Sequence, residues 1–174
     1  MITSDQYQNF IGRVVDELEG DWLVIGGSLL AMINSEYRVT SDIDICPIDE
    51  MTNEKRLHLM DIADQLELPI EAINPAADFF VRQIPNWKSS IVLMKKGKKG
   101  QLYRPDIELY FNLKFSRLSE SDVEDCILFL NWHLKSHLKF NQNALMSLVL
   151  EKEKSVLKPE VRILLEKLKK LLET

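Results

Sequence analysis

Residues 22–45 read WLVIGGSLLAMINSEYRVTSDIDI, and this stretch decides how the rest of the chain is interpreted. An apolar run ends at Gly26-Gly27-Ser28, and the apolar residues that follow predict a helix that begins on the glycines. Backbone N–H groups converge at a helix N-terminus, and glycine lets an anion approach the backbone closely. The stretch therefore predicts a phosphate-binding turn at Gly26, Gly27 and Ser28.

Two carboxylates, Asp42 and Asp44, follow at the end of the same stretch. On a strand, positions i and i+2 face the same side, so both carboxylates are expected to point one way while Ile43 and Ile45 point into the core. Paired hard oxygen ligands suit Mg²⁺ that is held together with substrate phosphates. We therefore expect Asp42 and Asp44 to bind a metal ion.

These residues resemble a known family. The Gly-Gly-Ser turn followed by Asp-Ile-Asp is similar to the signature of the polymerase-β-like nucleotidyltransferases. Residues 37–44, YRVTSDID, resemble the Arg-x-Thr-x-Asp-x-Asp of a minimal branch that includes the AbiEii-type toxin nucleotidyltransferases, which gives Arg38 and Thr40 supporting roles. Residues 112–125, NLKFSRLSESDVED, are similar to the Lys, Arg, Asp-x-x-Asp segment of that branch. The resemblance spans roughly residues 20 to 130.

The resemblance implies transfer of a nucleoside monophosphate from an NTP to an acceptor hydroxyl, with Mg²⁺ as cofactor and pyrophosphate leaving. Asp42 and Asp44 would be catalytic and hold the metal. Gly26, Gly27 and Ser28 would hold the phosphates through backbone N–H groups and the Ser28 hydroxyl.

The second block supplies cations and further carboxylates. Lys114 and Arg117 lie three residues apart, so we expect them on one helix face. There the Lys114 ammonium would bind the triphosphate as a compact charge, and the Arg117 guanidinium would bind it through two N–H groups at once. Asp122 and Asp125 repeat this spacing. They are expected to orient Lys114 or Arg117 rather than to bind metal.

A third catalytic carboxylate usually lies on a later strand of the wider family, facing the Asp-x-Asp pair. Residues 68–73, LPIEAI, predict such a strand, and Glu71 is the candidate catalytic residue. Asp106 and Glu108 are rivals. If none of them faces the pair, the alternative is a catalytically weak nucleotide-binding or protein-interaction module that retains the fold.

Apolar periodicity and capping signals predict the remaining elements. Helices are expected over residues 3–18, 53–66, 76–83, 105–115, 119–138, 143–154 and 159–173, and further strands over residues 89–95 and 102–103. The class is therefore α+β, a mixed sheet flanked by helices with a helical C-terminal region. We expect one compact unit, with residues 1–140 as the nucleotidyltransferase-like core and residues 141–174 as a helical extension packed on it.

Composition and charge limit where the protein is expected in the cell and what it is expected to bind. The 174 residues contain no apolar run long enough to span a membrane and no signal-peptide pattern, so we expect a cytoplasmic protein without membrane contact. A net charge of −5 argues against broad nonspecific binding to nucleic acid. The expected partners are an NTP, an acceptor that is an RNA, a nucleotide, a protein or a small molecule, and an antitoxin protein if the chain is a toxin-antitoxin or phage-defence effector.

Overall fold

A computed structural model describes residues 2–34, 42–74 and 76–173. This part of the chain forms eight α-helices, four β-strands and two short 3-10 helices. The elements are α1 (Ser4–Glu17), β1 (Gly20–Val24), α2 (Gly26–Ile33), β2 (Ile45–Pro47), α3 (Asn53–Gln65), a 3-10 helix (Ile70–Ala72), α4 (Ala76–Arg82), a 3-10 helix (Trp87–Ser90), β3 (Ile91–Lys96), β4 (Gly100–Pro105), α5 (Ile107–Phe115), α6 (Glu120–Lys135), α7 (Gln142–Ser155) and α8 (Pro159–Leu172). The predicted α+β class, with a mixed sheet and a helical C-terminal region, is confirmed.

The four strands form one mixed sheet in the order β2-β1-β4-β3. β1 pairs with β4 in parallel, Trp22 opposite Leu102, and with β2 antiparallel, Val24 opposite Ile45. β1 is therefore a central strand, and its residues Trp22–Val24 are fully buried. This central strand leads directly into α2, so Gly27 and Ser28 at the start of the helix are buried and Gly26 is half-buried.

The chain divides into two compact units, Met1–Pro105 and Asp106–Thr174. The first contains the sheet and α1 to α4, and the second contains α5 to α8. In the second unit α6 packs against α5 and α8, while α7 packs against α5 and α8. The sequence instead suggested a boundary at 140/141. The division lies earlier because α5 and α6 pack with the two C-terminal helices.

The strand predicted over residues 68–73 is wrong for most of its length. Residues Ile70–Ala72 form a 3-10 helix, in which the Ala72 N–H donates to the Pro69 carbonyl at 2.9 Å. Proline has no N–H for a β-ladder and favours the start of a turn, which explains the change. Ile73 alone keeps the expected pairing, as an isolated parallel bridge to Ile43.

The described helices differ from membrane spans in length and hydropathy. None of those within residues 2–34, 42–74 and 76–173 is both long enough and apolar enough to cross a bilayer.

Candidate functional site

The Asp-x-Asp segment alternates between core and surface, as the sequence predicts. Ile43 and Ile45 are fully buried, whereas Asp42 is exposed and Asp44 is half-buried. The two aspartates precede β2 rather than lying within it, because regular pairing with β1 begins only at Ile45. The bridge between Ile43 and Ile73 holds the segment on its other side.

Ser28 joins the glycine turn to the Asp-x-Asp segment. Its Oγ donates a hydrogen bond of 2.8 Å to the Asp42 carbonyl and accepts one of 2.9 Å from the Asp44 N–H. Ser28 is fully buried, and its single hydroxyl proton is used inside the protein. The Ser28 hydroxyl, which the sequence suggested as a phosphate ligand, therefore donates to the protein backbone instead.

Gly26 makes room for the Asp44 carboxylate. Its φ is +65°, and a Cβ at this position would overlap Asp44 Oδ2. The sequence explained this glycine by the approach of a phosphate, whereas the structure shows the approach of a protein carboxylate. Since α2 begins at Gly26, Asp44 lies at the positive end of that helix, where a negative charge is stabilised.

Asn74 contacts the site, although the sequence did not single it out. Its Nδ2 donates a hydrogen bond of 2.7 Å to Asp44 Oδ1, which fixes the carboxylate with Oδ2 over Gly26. Its position in the sequence could have indicated this contact, since Asn74 directly follows Ile73, the last residue of the strand predicted to lie near the aspartates. The backbone places it here because the Asn74 N–H donates to the Ile43 carbonyl at 3.1 Å.

Tyr7 on α1 is a second residue that the sequence did not assign to the site. Its Oη is buried and has no hydrogen-bond partner in the described part of the chain. Burial raises the pKa of Tyr7 well above its ordinary value, the nearby Ser28 side chain opposes the rise, and the charge of Asp44 adds to it. Burial of the hydroxyl is therefore the main cause of the raised pKa.

Glu71 does not complete a three-carboxylate cluster. It is exposed on the 3-10 helix, and within the described ranges no three His, Cys, Asp or Glu side chains are grouped so that they could hold a metal ion. Of its rivals, Asp106 caps α5 by accepting from the Leu109 N–H at 2.8 Å. Partial burial and the neighbouring Asp106 raise the pKa of Glu108.

The residues present fit a divalent cation that is shared with a ligand rather than enclosed by protein. Two carboxylates, Asp42 and Asp44, supply the hard oxygen donors that Mg²⁺ prefers, and phosphate oxygens usually complete its shell. The N-cap residue of α2, Ile25, makes no side-chain hydrogen bond to the first turn. The negative charge at this helix end comes instead from the Asp44 carboxylate, which lies over Gly26.

The second sequence block forms an ion-pair cluster inside the C-terminal unit. Lys114 is buried, and its Nζ lies 2.5 Å from Asp125 Oδ2 and 3.4 Å from Asp122 Oδ1. These contacts match the predicted orienting role of the two aspartates. Binding of the triphosphate by Lys114 stays a prediction.

Arg117 lies beyond the end of α5, yet it contacts the same oxygen as Lys114, Asp122 Oδ1. α5 ends at Phe115, and Arg117 lies in the turn that leads to α6. Its side chain is 60% exposed, and Nη2 lies 2.8 Å from Asp122 Oδ1. An early helix end therefore points the guanidinium toward α6 and solvent.

Asp122 remains ionised in this cluster despite its burial. Burial raises its pKa, but the Ser119 hydroxyl, the Lys114 ammonium and the Arg117 guanidinium together hold it below its usual range. Ser119 and Asp122 also form the predicted capping box at the start of α6. Asp122 thus serves both the helix and the ion pairs.

Arg38 and Thr40 lie outside the described residues.

A cleft of about 430 Å³ lies between α1, α3 and the β3–β4 turn. Its lining is charged and polar, and Arg13 is already bound there to Glu17 and Gln65. None of its lining residues belongs to the Gly26–Ser28 turn or the Asp-x-Asp segment.

No protein-family model, curated protein or solved structure matches the chain.

Proposed function

We propose that the protein is a Mg²⁺-dependent nucleotidyltransferase that transfers a nucleoside monophosphate from an NTP to an acceptor hydroxyl. The observation that carries the proposal is the pair of hydrogen bonds from Ser28 Oγ to the backbones of Asp42 and Asp44. Two sequence features 14 to 16 residues apart thereby form one structural unit. Paired carboxylates beside a helix N-terminus are the parts that binding of a metal-bound triphosphate needs.

Each residue of this unit has a separate task in the proposal. Asp42 and Asp44 hold Mg²⁺, which when bound neutralises charge on the triphosphate and lowers the pKa of the acceptor hydroxyl. The phosphate oxygens bind at the positive end of α2, where Gly26 is half-buried and Gly27 and Ser28 are buried. Asn74 keeps the Asp44 carboxylate in one orientation, so little reorganisation is needed when the ligand arrives.

The biological role follows from the resemblance alone. A toxin-antitoxin or phage-defence effector acting in the cytoplasm is our proposal for the cellular context, with an antitoxin protein as its partner. Lys114 and Arg117 are retained as candidate triphosphate contacts, with Asp122 and Asp125 as their supports.

Transfer activity tests the proposal directly. The protein is incubated with each labelled NTP, Mg²⁺ and a cell extract, and the molecule that takes up label is identified by size, nuclease digestion and protease digestion. The proposal expects Mg²⁺-dependent label with at least one NTP, and none with Asp42→Asn. Absence of label with all four NTPs, in extracts from several growth conditions, would contradict an active enzyme.

A catalytically weak nucleotide-binding or protein-interaction module is the second candidate, and one observation favours it. Glu71 is exposed on a 3-10 helix, and the described residues supply no third carboxylate to the pair. Such a module would bind a Mg²⁺–NTP without transferring a nucleotide. Tight NTP binding without turnover would favour it over the enzyme.

A further inference from the structure

Two neighbouring phenylalanines on α4 are exposed to solvent. Phe79 is 64% exposed and Phe80 is 40% exposed, whereas every other aromatic side chain within residues 2–34, 42–74 and 76–173 is buried or half-buried. Ala77 and Val81 of the same helix are buried, and α4 packs against β2. The helix therefore has one face on the core and an aromatic pair on its solvent side.

The two rings form one surface on a fixed support. Their centroids lie 5.6 Å apart and their planes are at 78°, so the rings meet edge to face. On the same helix Arg82 Nη2 lies 2.7 Å from Asp78 Oδ1 and donates a hydrogen bond of 3.4 Å to the Pro47 carbonyl. These contacts attach α4 to the end of β2, and the aromatic pair is held with it.

This pair lies next to the aspartates along the chain and in space. Asn74, which donates to Asp44 Oδ1 at 2.7 Å, is two residues before the start of α4 at Ala76. Consecutive Cα atoms are about 3.8 Å apart and a helix rises about 1.5 Å per residue, so the Cα atoms of Phe79 and Phe80 lie within about 15 Å of that of Asn74. An NTP is an elongated molecule with its base at the end opposite the triphosphate. The pair is therefore within reach of the base when the phosphates share a metal ion with Asp44.

We propose that Phe79 and Phe80 bind the base of the NTP by stacking. This inference rests on the proposed function, because Asp42 and Asp44 must hold the Mg²⁺–triphosphate for the base to reach α4. A base is favoured as the occupant because flat aromatic rings form this surface and because the surface adjoins the aspartates. Stacking on an aromatic ring accepts every base, since each has a π-face, so all NTPs that bind should use the pair.

Calorimetric titration of the full chain tests the inference with each Mg²⁺–NTP and with Mg²⁺–tripolyphosphate, which carries the phosphates without a base. Wild type should bind at least one Mg²⁺–NTP more tightly than Mg²⁺–tripolyphosphate. Combining Phe79→Ala with Phe80→Ala should weaken NTP binding by about 5- to 150-fold, the effect of losing the stacking of one base. The affinity for Mg²⁺–tripolyphosphate should not change.

Three control variants separate stacking from other effects. Phe79→Tyr with Phe80→Tyr keeps both rings and should keep the NTP affinity of wild type. Phe79→Leu with Phe80→Leu keeps apolar side chains without rings and should lose NTP affinity as the alanine variant does. Leu57→Ala, at a position of α3 that is 61% exposed, should change neither affinity. All these positions are exposed, so each variant should melt at the wild-type temperature.

Each result decides the inference. Unchanged NTP affinity in the alanine or the leucine variant, or an equal loss for Mg²⁺–tripolyphosphate, overturns it and leaves the proposed function standing. If the alanine variant instead turns a wild-type dimer into monomers on size-exclusion chromatography and keeps its NTP affinity, the pair is an interface between copies and the inference is overturned. If the base contact is lost as expected but wild type transfers no nucleotide, the proposed transfer fails and the base contact stands. If wild type binds no Mg²⁺–NTP, the proposed function and the inference are both overturned.

Discussion

The backbone N–H of Asp44 donates a hydrogen bond of 2.9 Å to the hydroxyl oxygen of Ser28. Ser28 is fully buried and lies 16 positions earlier in the chain. The same oxygen donates its proton to the Asp42 carbonyl. Ser28 therefore fixes the backbone on both sides of Ile43. The direction of the two carboxylates depends on a side chain that contacts neither of them.

Removing this hydroxyl should loosen the segment. Ser28→Ala removes two partly buried hydrogen bonds, so the free energy of unfolding should fall by about 1–3 kcal/mol, measured by urea denaturation. Ser89→Ala is the control, because the Ser89 hydroxyl bonds only within its own exposed turn. That variant should stay within about 0.5 kcal/mol of wild type. Equal losses in both variants would contradict the role of Ser28.

Gly26 should not tolerate a side chain. Gly26→Ala introduces a Cβ that overlaps Asp44 Oδ2 at a φ of +65°, so we expect a loss of about 1–3 kcal/mol and weaker binding of Mg²⁺–NTP. Gly12→Ala is the matched control in α1, where the nearest atom to a new Cβ is Lys95 Nζ at 3.6 Å. It should stabilise the protein by about 0.5–1 kcal/mol.

A double-variant cycle separates two effects of Gly26→Ala, the backbone strain at positive φ and the overlap of the new Cβ with Asp44. Gly26→Ala combined with Asp44→Ala should recover part of the loss, because the overlapping carboxylate is gone while the strained φ remains. Strictly additive losses would show that Gly26 and Asp44 do not interact.

The buried ion pairs of the C-terminal unit should govern its stability. Lys114→Met leaves Asp122 and Asp125 buried without their shared cation, and we expect a loss of about 3–5 kcal/mol in the free energy of unfolding. Lys135→Met, at an exposed position of α6, should change it by less than about 0.5 kcal/mol. A small effect of Lys114→Met would mean that its ammonium is not paired in solution.

The free energy of unfolding should fall at acidic pH, and protonation of Asp122 should contribute to the fall. Because the folded state lowers the pKa of Asp122, its ionisation stabilises the fold above the unfolded pKa of about 3.9, and that stabilisation is lost as pH falls through the folded value. Urea unfolding between about pH 3 and pH 6 should show a steeper acid loss in wild type than in Asp122→Asn. Glu124→Gln, on the exposed face of α6, should keep the wild-type slope. Identical slopes in wild type and Asp122→Asn would contradict this assignment.

Local sequence signals predicted the elements well where they act within a few residues. Thr3 with Gln6 forms a capping box at the start of α1, as Ser119 with Asp122 does at α6. The alternation of Ile43 and Ile45 with the aspartates also holds. In each of these cases the structure depends on residues close together in the chain, either through a capping hydrogen bond or through the two-residue alternation of side chains in an extended segment.

The failures have two causes, local turn chemistry and contacts between residues that are distant in the chain. Residues 68–73 have the composition of a strand, yet Pro69 begins a turn and only Ile73 is paired. The contact of Asn74 with Asp44 joins residues 30 positions apart, which periodicity does not reveal. The spacing of Lys114 and Arg117 did predict that the two cations lie together, although α5 ends before Arg117.

The central claim is a Mg²⁺–NTP site at Asp42, Asp44 and the Gly26–Ser28 turn. Calorimetric titration of each NTP with Mg²⁺, and again with EDTA, tests it most directly in wild type and in Asp42→Asn, since Asp42 is exposed and its replacement should leave the fold intact. We predict binding of at least one NTP by wild type only with Mg²⁺, and at least tenfold weaker binding by Asp42→Asn, about 1.4 kcal/mol or more. Equal affinity in the two proteins, or no binding of any Mg²⁺–NTP by wild type, would contradict the account.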